Sequence, residues 1–406
     1  MSGQPFQGEA APRGRVLSFD QVDDVFVERW DRLAERACPA NPYFEPAATL
    51  AAAAHLPDGH RVRLLVVEEG QQFDHLTFLL PVIDAVRYRR VPVPATTTWR
   101  HAHCFLGTPL TVPGAGAATW QVALDALADA DASPWLAIDL VDVDVAAAAR
   151  EGARRSGRAV TTLETVERAT LERRPVDDYV QTCFSARRRK DLRRRWRRLT
   201  EELGAEPSLV DRTDVDTALE DFLRLEASGW KSQVGGALAV RPGHADFFRG
   251  MCRGLARRGR LQMHSLQTDD RVVAMACRIL TPDAVFEFKI AHDDALSAHS
   301  PGILLALEQV RGFHATGRRF VDTCAAPEDA TQNRIYPDRR RLTTVLVQLH
   351  GRRGDWAVRN ADRIQAAVDR IKRGRERIGQ LTRARAVACE AELLQSRDGG
   401  SRESIA

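Results

Sequence analysis

Four short segments in the second half of the chain hold side chains suited to chemistry. The first runs Phe286-Glu-Phe-Lys-Ile-Ala-His-Asp-Asp294 and passes through a polar stretch into Ser300-Pro-Gly-Ile303. Ser300 as N-cap, Pro301 at the first helical position and Gly302 next spell a helix start. Its unpaired N–H groups, at the positive end of the helix dipole, suit a diphosphate, and Gly302 allows close approach. An ordinary well-capped helix has the same pattern. Strict alternation along Phe286 to Ile290 predicts Phe286, Phe288 and Ile290 on one face and Glu287 with Lys289 on the other. That facing pair either binds a carboxylate or hydroxyl of a ligand or forms a surface ion pair of little weight.

The second segment, Glu226-Ala-Ser-Gly-Trp-Lys231, ends a helix at Gly229 and puts Trp230 and Lys231 on a Gly-containing loop. It reads as a substrate lid or as a loop anchored by Trp230. The third holds eight arginines and Lys190 between Arg187 and Arg198. Leu192, Trp196, Leu199 and Leu203 recur there at helical spacing, so the basic residues, Arg188 and Lys190 among them, cover the outer face of an amphipathic helix. A solvated face, a phosphate-bearing ligand and nucleic acid are the competing readings. The fourth, Val321-Asp-Thr-Cys324, ends a short strand; Cys324 has no histidine placed beside it and reads as a small buried residue. His101, His103 and Cys104 do not have metal-ligand spacing, and no metal site is expected.

These segments need elements to position them. Helical periodicity covers Asp20 to Ala37, 47–55, 117–129 and 144–155, and strands are predicted at Val62 to Glu68, Leu76 to Val82, Phe105 to Val112 and Trp135 to Val141. After about Val176 the alternation resumes. Strands are expected at Ser208 to Asp211, Leu261 to Gln267, Val272 to Leu280, Ala284 to Ala291, Phe320 to Thr323 and Thr344 to Leu349, with helices at 214–227, 243–257 and Pro301 to His314. The expected organisation is a tail over 1–15, a first α/β half over 16–172, a second over 173–352, surface helices over 353–395 and a disordered tail over 396–406.

Composition bounds the rest. The chain has 406 residues, 44% hydrophobic and 28% charged, as a folded globular protein should. Its formal net charge of +4 is too small to imply a nucleic-acid or membrane partner by itself. Seven cysteines, the nearest two being Cys252 and Cys277, supply neither a disulfide framework nor a CxxC pair. No apolar run is long enough to cross a bilayer, and the N-terminus lacks a signal-peptide core, so a cytoplasmic protein is expected. Phosphate-loop, GxSxG, HExxH and EF-hand patterns are missing.

The order of Asn41-Pro-Tyr-Phe, the Arg187-Arg-Arg-Lys-Asp-Leu-Arg-Arg helix, Glu226-x-x-Gly-Trp-Lys231, Lys289-Ile-Ala-His-Asp, Ser300-Pro-Gly-Ile-Leu-Leu and Val321-Asp-Thr-Cys resembles the CelD-like acetyltransferases. These are a GNAT-superfamily branch related to the FemAB peptidyltransferases. The resemblance covers roughly residues 15–350 and is most specific over 180–325. It implies an α/β protein of two GNAT-like halves, each a mixed sheet flanked by helices, and an acyl-CoA-dependent N-acyltransferase using acetyl-CoA as cosubstrate. Pantetheine would pair with the strand carrying Lys289, Ile290 and Ala291, and the diphosphate would sit at His299, Ser300, Pro301, Gly302 and Ile303. The superfamily signature at this helix usually carries two glycines, whereas Ala298-His-Ser-Pro-Gly-Ile-Leu has one.

In that architecture an amine attacks the thioester and a general base removes its proton. Asp322, Glu226, Glu287 and His292 are the candidates, with Asp322 at the end of the strand that follows the cofactor helix. Trp230, Lys231, Arg188 and Lys190 are implied substrate contacts. The acceptor implied is a small molecule, a sugar or a cell-envelope precursor. Two alternatives stand beside this reading: a FemAB-like transferase drawing on aminoacyl-tRNA, and a catalytically idle scaffold for polysaccharide biosynthesis.

Overall fold

The computed structural model describes residues 11–130, 133–174, 179, 184–229 and 235–374. Thirteen strands join in one sheet flanked by helices, a mixed α/β architecture as the sequence leads one to expect. In the first half, β1 (Arg13–Ser18), β2 (Arg63–Glu69), β3 (His75–Ala85) and β4 (Ala95–Thr98) pair antiparallel in sequence order; β5 (Leu110–Thr111) pairs with β3, and β6 (Trp135–Asp142) lies parallel to β4. The second half repeats the plan. β8 (Ser208–Asp211), β9 (Leu261–Gln267), β10 (Val272–Leu280) and β11 (Ala284–His292) are antiparallel neighbours, and β12 (Phe320–Asp322) lies parallel to β11.

The two halves are not separate sheets. β7 (Val160–Glu172), the last strand of the first half, pairs with β12 of the second. β13 (Asp338–Gln348), the last strand of the second half, pairs with β6 of the first, and β7 and β13 pair with each other. Each half therefore lends its final strand to the other. β13 has the continuous buried run Leu342 to Val347, as a strand covered on both faces must. β7 is absent from the sequence reading because its β-branched residues are interleaved with Glu164, Glu167, Arg168 and Glu172, which dilute the apolar alternation.

Ten helices named here flank the sheet: α1 (Asp24–Arg36), α2 (Pro46–His55), α3 (Ala117–Asp129), α4 (Val143–Arg155), α5 (Ala186–Leu203), α6 (Val215–Ser228), α7 (His244–Arg257), α8 (Pro301–Phe313), α9 (Ala330–Ile335) and α10 (Gly351–Arg359). A further helical stretch covers 361–374. The stretch expected as a tail, 1–15, contains the start of β1, whose Gly14 approaches α3 so closely that a Cβ would lie 2.6 Å from Val122 O and Ala126 Cβ. The predicted strand from Phe105 to Val112 is irregular apart from β5.

A single large core runs across both halves, from Trp30, Tyr43 and Phe44 to Phe247, Phe248 and Phe286. α2 seals the two halves together through small residues. A Cβ on Gly254 would stand 2.8 Å from Ala47 Cβ, and one on Gly250 3.3 Å from Ala51 Cβ. Those pairs are four residues apart on each helix, so the faces lie one turn above another and the backbones approach closely.

Candidate functional site

The site begins with a failure of pairing. β11 and β12 run parallel only from Ala284–Phe320 to Phe286–Asp322; β12 then ends, while β11 continues to His292. Among the described residues no other strand takes that edge of β11. The sheet thus splays open beside Glu287 to His292, and α8 starts at its mouth.

A β-bulge decides which side chains face which side of the opening. Arg278 pairs with Glu287 but Cys277 pairs with Lys289, leaving Phe288 as the extra residue. Adjacent residues of β10 point to opposite faces, so Glu287 and Lys289 are separated by the sheet. Glu287 accepts from Arg278 Nε at 3.1 Å, and burial raises its pKa. Lys289 Nζ lies 3.3 Å from Glu226 Oε1 on the other side. The Glu287–Lys289 pair expected from strict alternation is corrected by this bulge, and Ile290 falls on the α8 face instead of beside Phe286 and Phe288.

On the α8 face the cofactor candidates Ile290, His299, Ser300, Pro301, Gly302 and Ile303 come together, whereas Lys289 and Ala291 turn to the opposite face. A Cβ on Gly302 would lie 3.4 Å from Ile290 Cδ1 and 3.8 Å from His292 Nδ1, so this helix start stands directly over β11. Ser300 holds the N-cap position, but its hydroxyl caps nothing. Its φ of 55° is left-handed, and Oγ instead accepts from Arg195 Nη1 at 2.5 Å. Pro301 supplies no N–H, and no side chain caps the amides that follow. His299 Nε2 contacts Glu202 Oε2 at 2.5 Å, a second link from α5. His292 Nε2 lies 3.4 Å from Asp294 Oδ1 on this same side.

α5 is thereby tied to the helix start through Arg195, a residue the sequence did not single out. Arg188 and Lys190 lie elsewhere on α5. With Arg187, Arg193, Arg194 and Arg197 they line a hollow of about 850 Å³ in which Asp191 is the only carboxylate among the described lining residues. The Arg188 guanidinium stacks 4.8 Å from the Phe184 ring. Trp230 and Lys231 lie outside the described residues.

The opposite face forms a cleft against the first half. Glu226, 2% exposed, accepts from Leu238 N at 2.8 Å as well as from Lys289. Beside it, His103 Nε2 meets His244 Nδ1 at 2.7 Å, one ring donating and the other accepting. The His103 ring is stacked on Phe247 at 5.4 Å and edge-on to Phe288 at 6.2 Å, which places the pair against the bulge. Burial, with Lys289 next in weight, drives the His103 pKa down to about 2; burial, Arg241 and Lys289 lower that of His244. Both rings are neutral at physiological pH. This pair escaped the sequence because its members are 141 residues apart. No group of three or more His, Cys, Asp or Glu side chains placed to hold a metal ion is found among the described residues.

Asp322 occupies a different environment from the one expected of a base. It is fully buried, with Arg340 Nη1 at 2.8 Å and Arg168 Nη1 at 3.4 Å, and it accepts from Cys324 N at 2.8 Å. Burial pushes its pKa up, but Arg168 and Arg340 outweigh burial and hold it below the usual carboxylate range. Arg340 also grips Asp142 of β6 through Nε at 2.8 Å and Nη2 at 2.7 Å. The result is a charged rivet through the exchanged strands, suited to a fixed anion rather than a proton acceptor. Cys324 is buried against the Tyr43 hydroxyl at 3.0 Å, and burial raises its thiol pKa.

Known proteins share this arrangement at the level of fold. No curated protein matches the chain. Among solved structures, FemX superposes with a TM-score of 0.53 at 9% identity, covering 79% of this chain and 95% of FemX. A C-terminal domain assigned as lysylphosphatidylglycerol synthetase, from Agrobacterium fabrum, gives 0.50 at 11% identity, with 82% and 95% covered. A conserved Bacteroides thetaiotaomicron protein gives 0.50 at 11% identity, with 81% and 99% covered. The segment holding α5, the bulge, the splay and the start of α8, residues 186–330, matches the family of acetyltransferase (GNAT) domains.

Proposed function

We propose that this protein is an acyl-CoA-dependent N-acyltransferase, with acetyl the acyl group, acting on an amine of a small-molecule, sugar or cell-envelope precursor. The observation that carries this reading is the opening between β11 and β12 with α8 starting at its mouth, inside the segment that matches a GNAT domain. The residues fit such a donor. Gly302 leaves room over β11, the helix start has no side-chain cap, and Arg195 adds positive charge beside it.

The thioester would lie along β11 at the bulge and the amine would enter from the His103–His244 side. The amine nitrogen attacks the carbonyl carbon, the C–N bond forms, and the C–S bond breaks with the thiolate leaving. Of the chain's groups on that side, His244 is the proton acceptor we assign. It is neutral, it lines a cavity, and His103 fixes its orientation. Glu226, with Leu238 N–H and Lys289 already on its oxygens, positions Lys289.

Calorimetric titration with acetyl-CoA tests the donor: micromolar binding that Gly302→Val weakens is expected, and absence of binding at millimolar ligand would sink the reading. His244→Gln should lower kcat by about 10²-fold or more with acetyl-CoA affinity intact. A second reading, an aminoacyl-tRNA donor, is favoured by the basic hollow on α5. It predicts RNA binding that falls steeply with salt.

A further inference from the structure

A cavity of about 600 Å³ lies between the first half and the start of α7, and its wall carries Arg61, Arg87, Arg89, Arg100, Arg241 and His244. Three carboxylates share that wall, and each is already engaged. Asp58 holds Arg61 at 3.0 Å, Asp84 holds Arg63 at 2.5 Å, and Asp139 holds Arg89 at 2.9 Å. Arg87, Arg100 and Arg241 have no carboxylate within ion-pair distance among the described residues. Arg100 also keeps its Nε buried without a hydrogen-bond partner among those residues, and its Nη2 reaches only Cys104 O, at 3.4 Å.

The start of α7 adds to this excess. Its N-cap is Gly243, at φ 76°, where a Cβ would collide with His55 O at 1.9 Å, and no side chain caps the helix. Asp246, the acid of its first turn, is paired with Arg249 at 3.1 Å. Three guanidiniums without a carboxylate partner among the described residues and the positive end of a helix therefore line one hollow. Such a charge excess, partly desolvated at Arg100, favours an anion in the hollow.

We propose that this cavity binds the phosphate group of a phosphorylated amine acceptor. Guanidinium forks and helix-start amides both match phosphate oxygens. The location suits an acceptor: His244 belongs to the wall and touches His103, whose ring meets Phe288 at the bulge. A phosphate seated on Arg100 and Arg241 leaves the rest of the molecule to extend past the histidines towards β11. This inference rests on the acyltransferase reading for its chemistry but not for its anion site.

The test uses inorganic pyrophosphate as probe, titrated calorimetrically into the full chain. Saturable binding is expected, weakened at least tenfold in Arg100→Gln and in Arg241→Gln, with acetyl-CoA affinity unchanged in both. Arg87→Gln, altering an exposed side chain, supplies a variant whose folding is not at risk and should also weaken the probe. Pyrophosphate binding that persists in Gly302→Val supports a site separate from α8, and it does so even if acetyl-CoA fails to bind. Absence of pyrophosphate binding at millimolar concentration, or affinity indifferent to all three arginine substitutions, would overturn the proposal.

Discussion

The two halves share a strand plan, yet only one keeps its opening. In the second half, parallel pairing stops at Phe286–Asp322 and β11 runs on alone at that edge among the described residues. In the first half, β4 and β6 are also parallel, over Thr96–Leu136 and Thr97–Ala137, but the loop after β4 fills the gap beside them. Gly107 N donates to Leu140 O at 3.0 Å, Thr108 Oγ1 donates to Asp142 Oδ2 at 2.8 Å, and Asn41 Nδ2 ties Leu106 O and Thr108 O from the other side. Gly107 is obligatory there, since a Cβ would stand 1.9 Å from Asp139 O. One half uses its splay to bury its own chain, and the other leaves it open among the described residues. A duplicated plan can thus support one site, with the second copy acting as its wall.

The comparison can be broken at several points. The largest effect is expected at the rivet that locks the halves together. Asp322→Asn leaves Arg168 buried without its charge partner and Arg340 with Asp142 alone, and should cost about 3–5 kcal/mol in chemical denaturation. The stability supplied by Asp322 is present above the carboxylate range and is lost as pH falls through its depressed folded pKa. Next comes the plug. Gly107→Ala should destabilise by about 3 kcal/mol, because the new Cβ meets backbone rather than a movable side chain, while acetyl-CoA affinity is retained by whatever fraction folds. An equal loss of affinity would contradict the division of labour.

Gly302→Val should do the reverse: about tenfold or greater loss of acetyl-CoA affinity, near 1.4 kcal/mol, at an unchanged unfolding midpoint. Acid should then single out the cleft. Burial lowers the pKa of His101 to about 3 and of His103 to about 2, so below the ordinary histidine range the unfolded chain takes up protons that the folded chain refuses. Stability should therefore fall as pH drops below about 6.5, by up to about 1.4 kcal/mol per pH unit for each such histidine. His103→Asn should flatten that slope in urea titrations; an unaltered slope would remove His103 from the cleft's electrostatics.

Much of the site's local grammar was readable in the residues. The helix start at Ser300-Pro-Gly, the strand before it and the basic helix all lie where periodicity and capping rules put them. What misled was local reasoning about faces. Alternation along Phe286 to Ile290 joins Glu287 to Lys289, but one extra residue in the register sends them to opposite sides of the sheet. Asp322 read as an available carboxylate because its two arginines come from β7 and β13, strands whose exchange leaves no mark at Asp322 itself. Ser300 read as a cap because a hydroxyl at that position usually is one; Arg195 competes for it from 105 residues away.

By itself, then, the sequence determined most of the elements, their order and the positive character of the helix start at Ser300-Pro-Gly. Those follow from propensities and periodicities acting within a few residues. The tertiary structure alone decided that the halves exchange their last strands, that the first splay is plugged, and that His103, His244, Glu226 and Lys289 meet in one cleft. Pairing partners, bulges and buried charge networks depend on which distant segments arrive together, and chain closure rather than local preference sets that outcome.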